Sequence, residues 1–254
     1  MADYKTILFA VDAGVARITL NRPEKRNALN DEIVGEIKEA LGLAGSDSSV
    51  RVILLEGAGK DFCSGADLGA LRQSHEANIE QNLVNARWMS ELFIMMRRHP
   101  RPIVAAVRGR ALAGGCGLAT AADIVLATES ARFGYPEVNI GFIPAMVMAI
   151  LRRSVSEKRA FEMITSGEVL PARRVLEFGL INQVFPDDLF DREVASYALR
   201  LAEKSASAVS LSKHLLYHMD GMTFESAIES GVHLNAIART TEDCRQGVER
   251  FLKK

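Results

Sequence analysis

The feature that most restricts the fold is a rhythm of short apolar runs, each leading into a glycine-bearing loop or a helical stretch. Residues 50–56 read VRVILLE and stop at Gly57, residues 103–107 read IVAAV, and residues 124–127 form a third run. Short runs this rich in Val and Ile are strands buried on both faces. Between them, residues 76–98 have helical character up to His99-Pro100-Arg101-Pro102, and residues 118–122 form a small-residue helix. Strand and helix in alternation point to βαβ units and a largely parallel sheet, so the expected class is α/β. Upstream, residues 7–11 and 15–20 flank the turn-forming Asp12-Ala13-Gly14 and predict a β-hairpin. Asn30 is placed to cap a helix whose first turn holds Asp31 and Glu32, where carboxylates suit the helix dipole.

After Pro144 the texture changes. Residues 146–153, 157–166, 172–178, 189–204, 209–218 and 224–239 all follow helical periodicity, with residues 180–185 as the one interrupting strand. Gly167 and Gly179 stand where helix C-caps belong. No internal repeat or low-complexity linker divides the chain. We expect a core over residues 1–190 that carries the chemistry and a packed helical region over residues 191–254.

Composition narrows the function mainly by exclusion. Net charge is −1 over 254 residues with no block of five like charges, so nucleic acid has no electrostatic footprint to bind. No apolar run approaches the roughly 18 residues of a membrane span, and the first residues lack a basic or amphipathic leader. The three cysteines, Cys63, Cys116 and Cys244, are widely spaced and show no zinc-binding pattern. A reduced, cytoplasmic protein without metal is the expectation.

Two glycine-containing loops follow two of the strands: residues 61–68 (DFCSGADL) and residues 109–117 (GRALAGGCG). Loops at the carboxyl ends of parallel strands are where α/β sheets hold ligands, and glycine lets backbone N–H groups come close to them. Gly109 and Gly114 have P-loop spacing, but Gly115 and Cys116 stand where Lys and Ser/Thr are needed, and no G-x-G-x-x-G follows any strand. Ser64 lacks the G-x-S-x-G frame of a nucleophile elbow. His75, His99, His214, His218 and His233 fall in helical or boundary settings and read as packing or surface residues. Cys63 and Cys116 flank the loops and read as small buried hydrophobes. Met89, Met95, Met96, Met146 and Met148 fit either a core or an acyl pocket.

Several motifs then stand in one order: Asn21-Arg22-Pro23-Glu24-Lys25-Arg26-Asn27-Ala28-Leu29, Ser64-Gly65-Ala66-Asp67, Ala113-Gly114-Gly115-Cys116-Gly117-Leu118-Ala119, Ala122-Asp123-Ile124, residues 133–141 (FGYPEVNIG), Ile143-Pro144 and Gly179-Leu180-Ile181-Asn182. Over nearly the whole chain this series resembles the crotonase (enoyl-CoA hydratase/isomerase) family. The resemblance implies a spiral of ββα units with a helical C-terminal trimerisation region, a homotrimer or dimer of trimers, and an acyl-CoA thioester as substrate. Coenzyme A then enters with the substrate, and no other cofactor is implied. It places an oxyanion hole on the backbone N–H groups of Ala66 and Gly114, where a thioester oxygen gaining charge is stabilised by roughly 3 kcal/mol per donor. Glu137 matches the catalytic carboxylate. In an apolar pocket its pKa rises towards the working pH, so it can both take and give a proton. Substrate contacts are implied for Lys25, Arg26 and Ala28, for Ser64, Asp67 and Leu68, and for Gly115, Gly117, Pro136 and Gly141.

The departure from the pattern is Gly117, which stands where enoyl-CoA hydratases of this family carry a second glutamate. Two enzyme readings follow: a hydratase-like enzyme, on a branched or glutaconyl-like enoyl-CoA, or a Δ3-Δ2 enoyl-CoA isomerase in which one acid shuttles a proton. A third reading, of another class, is a protein that binds CoA thioesters or RNA without catalysis. Ala145 stands near the position at which dehalogenase-like and naphthoate-synthase-like members place an Asp, which argues against those reactions.

Overall fold

A computed structural model describes residues 4–67, 69, 72 and 76–253. The hairpin forms as predicted, with β1 (Ile7–Asp12) antiparallel to β2 (Val15–Leu20). Asn30 caps α1 (Asp31–Ser46), its side chain accepting from Ile33 N at 3.1 Å. Strand β3 (Val52–Gly57) leads, past the first glycine loop, to α2 (Ile79–Arg98). Helix α2 starts later than its periodicity suggests, because Asn78 and Gln81 form a capping box that fixes its first turn.

The next elements alternate between two sheets. Strand β4 (Ile103–Val107) is followed by β5 (Arg110–Leu112) and α3 (Gly114–Thr120). Strand β6 (Ile124–Thr128) is followed by β7 (Arg132–Gly134). The long strands join a six-stranded sheet in the order β1-β2-β3-β4-β6-β9, parallel except for the hairpin, with β9 at Gln183–Phe185. The short ones form a second sheet, β5-β7-β8, with β8 at Leu170–Pro171. Cys63 extends that sheet by a parallel bridge to Ala111. Each turn of the chain thus lays one strand in the large sheet and the next in the small one, which is a spiral. The short strands escape sequence reading because three residues are too few to show a period.

The later helices are α4 (Met148–Ser154), α5 (Glu157–Ser166), α6 (Ala172–Glu177), α7 (Phe190–Ala202), α8 (Ala206–His218), α9 (Phe224–Thr240) and α10 (Glu242–Leu252). Helix α10 follows Thr241, whose side chain caps it by accepting from Cys244 N at 3.3 Å, and it lies beyond the helices predicted from sequence. Gly167 and Gly179 close α5 and α6 with φ of +63° and +83°. None of the helices over the described residues is long and apolar enough to cross a membrane.

Strands β3, β4 and β6 of the large sheet are buried on both faces, which explains their unbroken apolar runs. Ile53 and Leu55 of β3 face the main core with Ile33, Ile37 and Leu92, whereas Val52 and Leu54 face α7 through Phe190, Val194 and Ala198. Asp123, just ahead of β6, anchors both the sheet and the helical region. One carboxylate oxygen accepts from Ile103 N at 2.6 Å and from Lys213 Nζ at 2.8 Å, and the other accepts from Tyr217 Oη at 2.7 Å. Lys213 also donates to the carbonyls of Met96 and Arg101, at 3.0 and 3.2 Å, so the ammonium is paired and solvated by protein.

Candidate active site

The two glycine loops leave the ends of β3 and β4 side by side. In the first, Leu29 N donates to Gly65 O at 2.7 Å and Asp67 N donates to Leu29 O at 2.8 Å. That parallel bridge uses residues 65 and 67 and turns the N–H of Ala66 the other way. In the second, Gly114 is the first residue of α3, so its N–H has no acceptor within the helix. Among the described residues, neither the Ala66 N–H nor the Gly114 N–H donates to a protein acceptor.

Gly65 makes the close approach of the loops possible. Its φ is +98°, and a Cβ there would lie 2.9 Å from Ala113 Cβ, 3.0 Å from Leu112 O and 3.6 Å from Gly114 N. Ala113, with φ 51° and ψ −128°, is a non-glycine residue in a sparsely populated region, at a cost of roughly 1–3 kcal/mol. Its N–H is held by Gly134 O at 2.9 Å, and this fixed bend sets the direction of the next amide, that of Gly114.

Glu137 sits in a 3-10 turn over Pro136–Ile140 that begins with proline and closes at Gly141 in the left-handed region. The residue is 9% exposed, and its Oε2 is buried without a hydrogen-bond partner. Burial raises its pKa above the ordinary carboxylate value, against a smaller lowering by its own backbone N–H. Ala66, Gly114 and Glu137 line one cavity of about 490 Å³. Its other walls are largely apolar, with Trp88, Met89, Phe93, Ile143, Met146 and Val147 prominent. Asp31 is the one other charged side chain among the described lining residues, and it is exposed. The arrangement can hold an oxygen that becomes anionic and move a proton beside it.

The remaining expected residues divide. Ser64 and Pro136 line the cavity, and Ser64 N is tied to Arg26 O at 3.0 Å. Lys25 and Arg26 are exposed beside this segment, outside the lining. Ala28 is buried, its carbonyl accepting from Arg22 Nη1 at 2.6 Å. Asp67 pairs with Arg22 at 2.9 Å, and the Gly69 N–H, followed by Arg22, holds its carboxyl below the usual range. Leu68 and His75 lie outside the described residues. Gly115 packs against Cys63, and Gly141 is exposed away from the lining. Gly117 lies just behind the wall: a Cβ there would fall 2.1 Å from Val147 Cγ1 and 3.6 Å from Phe93 Cζ.

Other side chains separate as cleanly. Cys63 and Cys116 are fully buried, and desolvation pushes both thiols up to about 12. Met89 and Met146 line the cavity while Met96 belongs to the core. His99 is buried against Leu41 O, and His214 and His218 stack on each other in α8, away from the cavity. Sequence reasoning missed Trp88, Phe93 and Val147, and it took Arg22 only as part of the 22–29 segment that the resemblance assigns to CoA contacts. Asn27, part of the same segment, is instead a fully buried residue whose Nδ2 donates to Ala58 O and Asp61 O at 2.9 and 2.8 Å. Asn27 had a signal, a polar residue inside the opening motif, whereas Val147 had none, being brought to Gly117 only by folding.

The chain is similar to known proteins along nearly its whole length. Residues 10–254 match the model of a family described as enoyl-CoA hydratase/isomerase. The chain is 35% identical to the 2,3-dehydroadipyl-CoA hydratase of Escherichia coli, covering 94% of this chain and 92% of that one. It is 30% identical to the trans-2-decenoyl-[acyl-carrier-protein] isomerase of Streptococcus mutans, covering 99% and 97%. The solved structure of an enoyl-CoA hydratase from Mycobacterium smegmatis superposes with a TM-score of 0.94 at 32% identity, covering 98% and 96%.

Proposed function

The chain belongs to the enoyl-CoA hydratase/isomerase (crotonase) family, and from that premise we propose that it moves a proton at C2 of an enoyl-CoA thioester, with Glu137 as the acid/base. The observation that carries the reading is the meeting of two unengaged backbone N–H groups and one buried carboxyl in a single apolar cavity. The thioester oxygen accepts from Ala66 N and Gly114 N, and the charge it gains in the enolate is stabilised there rather than in water. Backbone donors need no lysine or metal to do this.

Hydration is the leading reaction, supported by the hydratase names of the E. coli relative and the M. smegmatis structure. Glu137 in its acid form gives its proton to C2 while its other oxygen takes one from the water adding at C3. One O–H bond of the water and the C2=C3 π bond break, C3–O and C2–H bonds form, and the carboxyl ends as it began. Isomerisation is the second reading, favoured by Val147 filling the space at Gly117. There the carboxylate takes a proton from C2 of a 3-enoyl thioester and returns it at C4, moving the double bond to C2–C3. Burial raises the pKa of Glu137, which makes its carboxylate a stronger base in either reaction.

In this reading Lys25 and Arg26 meet the CoA phosphates, which is supported by the bond from Ser64 N, at the edge of the cavity, to Arg26 O. A homotrimer or dimer of trimers is supported by α9, which buries no residue within the chain and leaves Phe224, Ile228 and Val232 exposed at helical spacing. Light scattering of the intact protein tests that assembly. For the chemistry, Glu137→Gln is expected to lower turnover by at least 10³-fold with CoA-thioester binding retained. Full turnover in that variant would remove Glu137 from the mechanism. Heavy-oxygen water separates the two reactions: label at C3 marks hydration, and an unlabelled product with a migrated double bond marks isomerisation.

A further inference from the structure

Gly117 and Val147 are 30 residues apart in the chain and occupy one volume between them. Helix α3 is packed on every side, and residues 115–120 are all buried. The Cα–Cβ direction of Gly117 points at Val147 Cγ1, 2.1 Å from the ideal Cβ, then at Val147 Cβ at 3.0 Å and Phe93 Cζ at 3.6 Å. Val147 and Phe93 both line the cavity that holds Glu137. The space that a side chain at position 117 would need is therefore taken by the isopropyl group of Val147, which separates Gly117 from the reaction chamber. Val147 is 4% exposed and immediately precedes α4 as its N-cap, so its own backbone is set by the helix that follows.

We infer that Val147 is a specificity-determining residue: by closing the path from position 117 it confines the chamber to one acid, and so raises the share of C2 proton transfer relative to water addition above that of the same chamber opened to a second acid. The inference rests on the function proposed above. Addition of water at C3 gains from a second group that orients and deprotonates the water while Glu137 serves C2. Val147 presents methyl groups where such a group could enter, and methyl groups hold no water.

The test is to open the path and fill it. In Gly117→Glu/Val147→Gly the new side chain meets no β-methyl, and glycine is well tolerated at an N-cap. The ratio of heavy-oxygen incorporation at C3 to proton exchange at C2, measured on 2-enoyl-CoA, is expected to rise at least tenfold over wild type. Gly117→Gln/Val147→Gly, with the same shape and no ionisable group, is expected to leave that ratio within about threefold of wild type. A folded double glutamate variant whose ratio does not exceed that of the glutamine control overturns the inference.

Should the glutamate variant fail to fold, Val147→Gly alone decides, with added formate as the second acid. A saturable rise in hydration with formate, absent in wild type, supports the inference, and no rise overturns it. These outcomes are distinct from failure of the underlying reading, which shows as wild-type protein that exchanges no C2 proton of any enoyl-CoA in heavy water.

Discussion

An oxyanion hole made of main chain cannot be removed by changing a side chain, but it can be removed by changing one atom. Replacing Ala66 by lactic acid turns its amide N–H into an ester oxygen and leaves the methyl in place. The Ala66 N–H has no protein acceptor among the described residues, so its loss breaks no bond that holds the fold. What weakens is the preceding carbonyl. Gly65 O becomes an ester oxygen and a poorer acceptor for Leu29 N, now at 2.7 Å. A backbone hydrogen bond is worth a net 0.5–1.5 kcal/mol, so weakening one costs at most about 1 kcal/mol. For a chain of this size that lowers Tm by roughly 2–4 °C.

The catalytic loss is of another order. One missing oxyanion donor costs about 10²–10³ in kcat, or roughly 2.7–4 kcal/mol. Glycolic acid at position 114 should act alike, since there the weakened acceptor is Ala113 O, which takes Gly117 N at 3.0 Å. The assay is steady-state turnover of an enoyl-CoA beside calorimetry of the same preparation. A kcat within threefold of the amide protein, at either position, would refute the assignment of that N–H. A stability loss as large as the catalytic one would show that the amide holds the loop together instead.

Glu137→Gln should change how stability depends on pH. The folded pKa is raised above the usual 4.5, so the wild-type carboxyl contributes stability below that value and loses it as pH rises through the raised one. The amide does not titrate, so the Tm of the variant minus that of wild type should grow from about pH 4 to pH 8 by scanning calorimetry; a flat difference contradicts the buried acid. Lys213→Met leaves the Asp123 carboxylate buried without its cation and should cost about 3–5 kcal/mol in a denaturant titration, whereas a loss below about 1 kcal/mol would mean that water replaces the ammonium. Gly65→Ala should cost about 1–3 kcal/mol and lower kcat, because a methyl 2.9 Å from Ala113 Cβ wedges the two loops apart; unchanged kinetics would mean that their spacing does not matter.

The centre of the large sheet was legible because β3, β4 and β6 are buried on both faces and spell out their length. Ile103–Val107 coincides with its prediction, and β3 differs only at its ends. The small sheet was not, because Arg110–Leu112 and Arg132–Gly134 are three-residue pieces whose pairing depends on distant partners. Helix α3 begins at Gly114, four residues ahead of its prediction, since its opening glycines carry poor helix propensity and are held by packing. In the site, Glu137 and the two loops were marked by local motifs. The clamp of Arg22 on Asp67 and the plug of Val147 on Gly117 join residues 45 and 30 positions apart, and such pairings leave no local trace.

Asp123 gives the two ends of the large sheet different duties. Its carboxylate pins the first residue of β4 and stands beside the first residue of β6, while the far ends of these strands deliver the 109–114 loop and the segment leading to Glu137. A five-residue strand spans about 16 Å, so Gly114 and Glu137, unlike Ala66, are reached from one ionic footing at the other end of the sheet. A lysine of α8 clamps that footing, so one carboxylate fixes both the seat of α8 and the root of the strands that lead to the site.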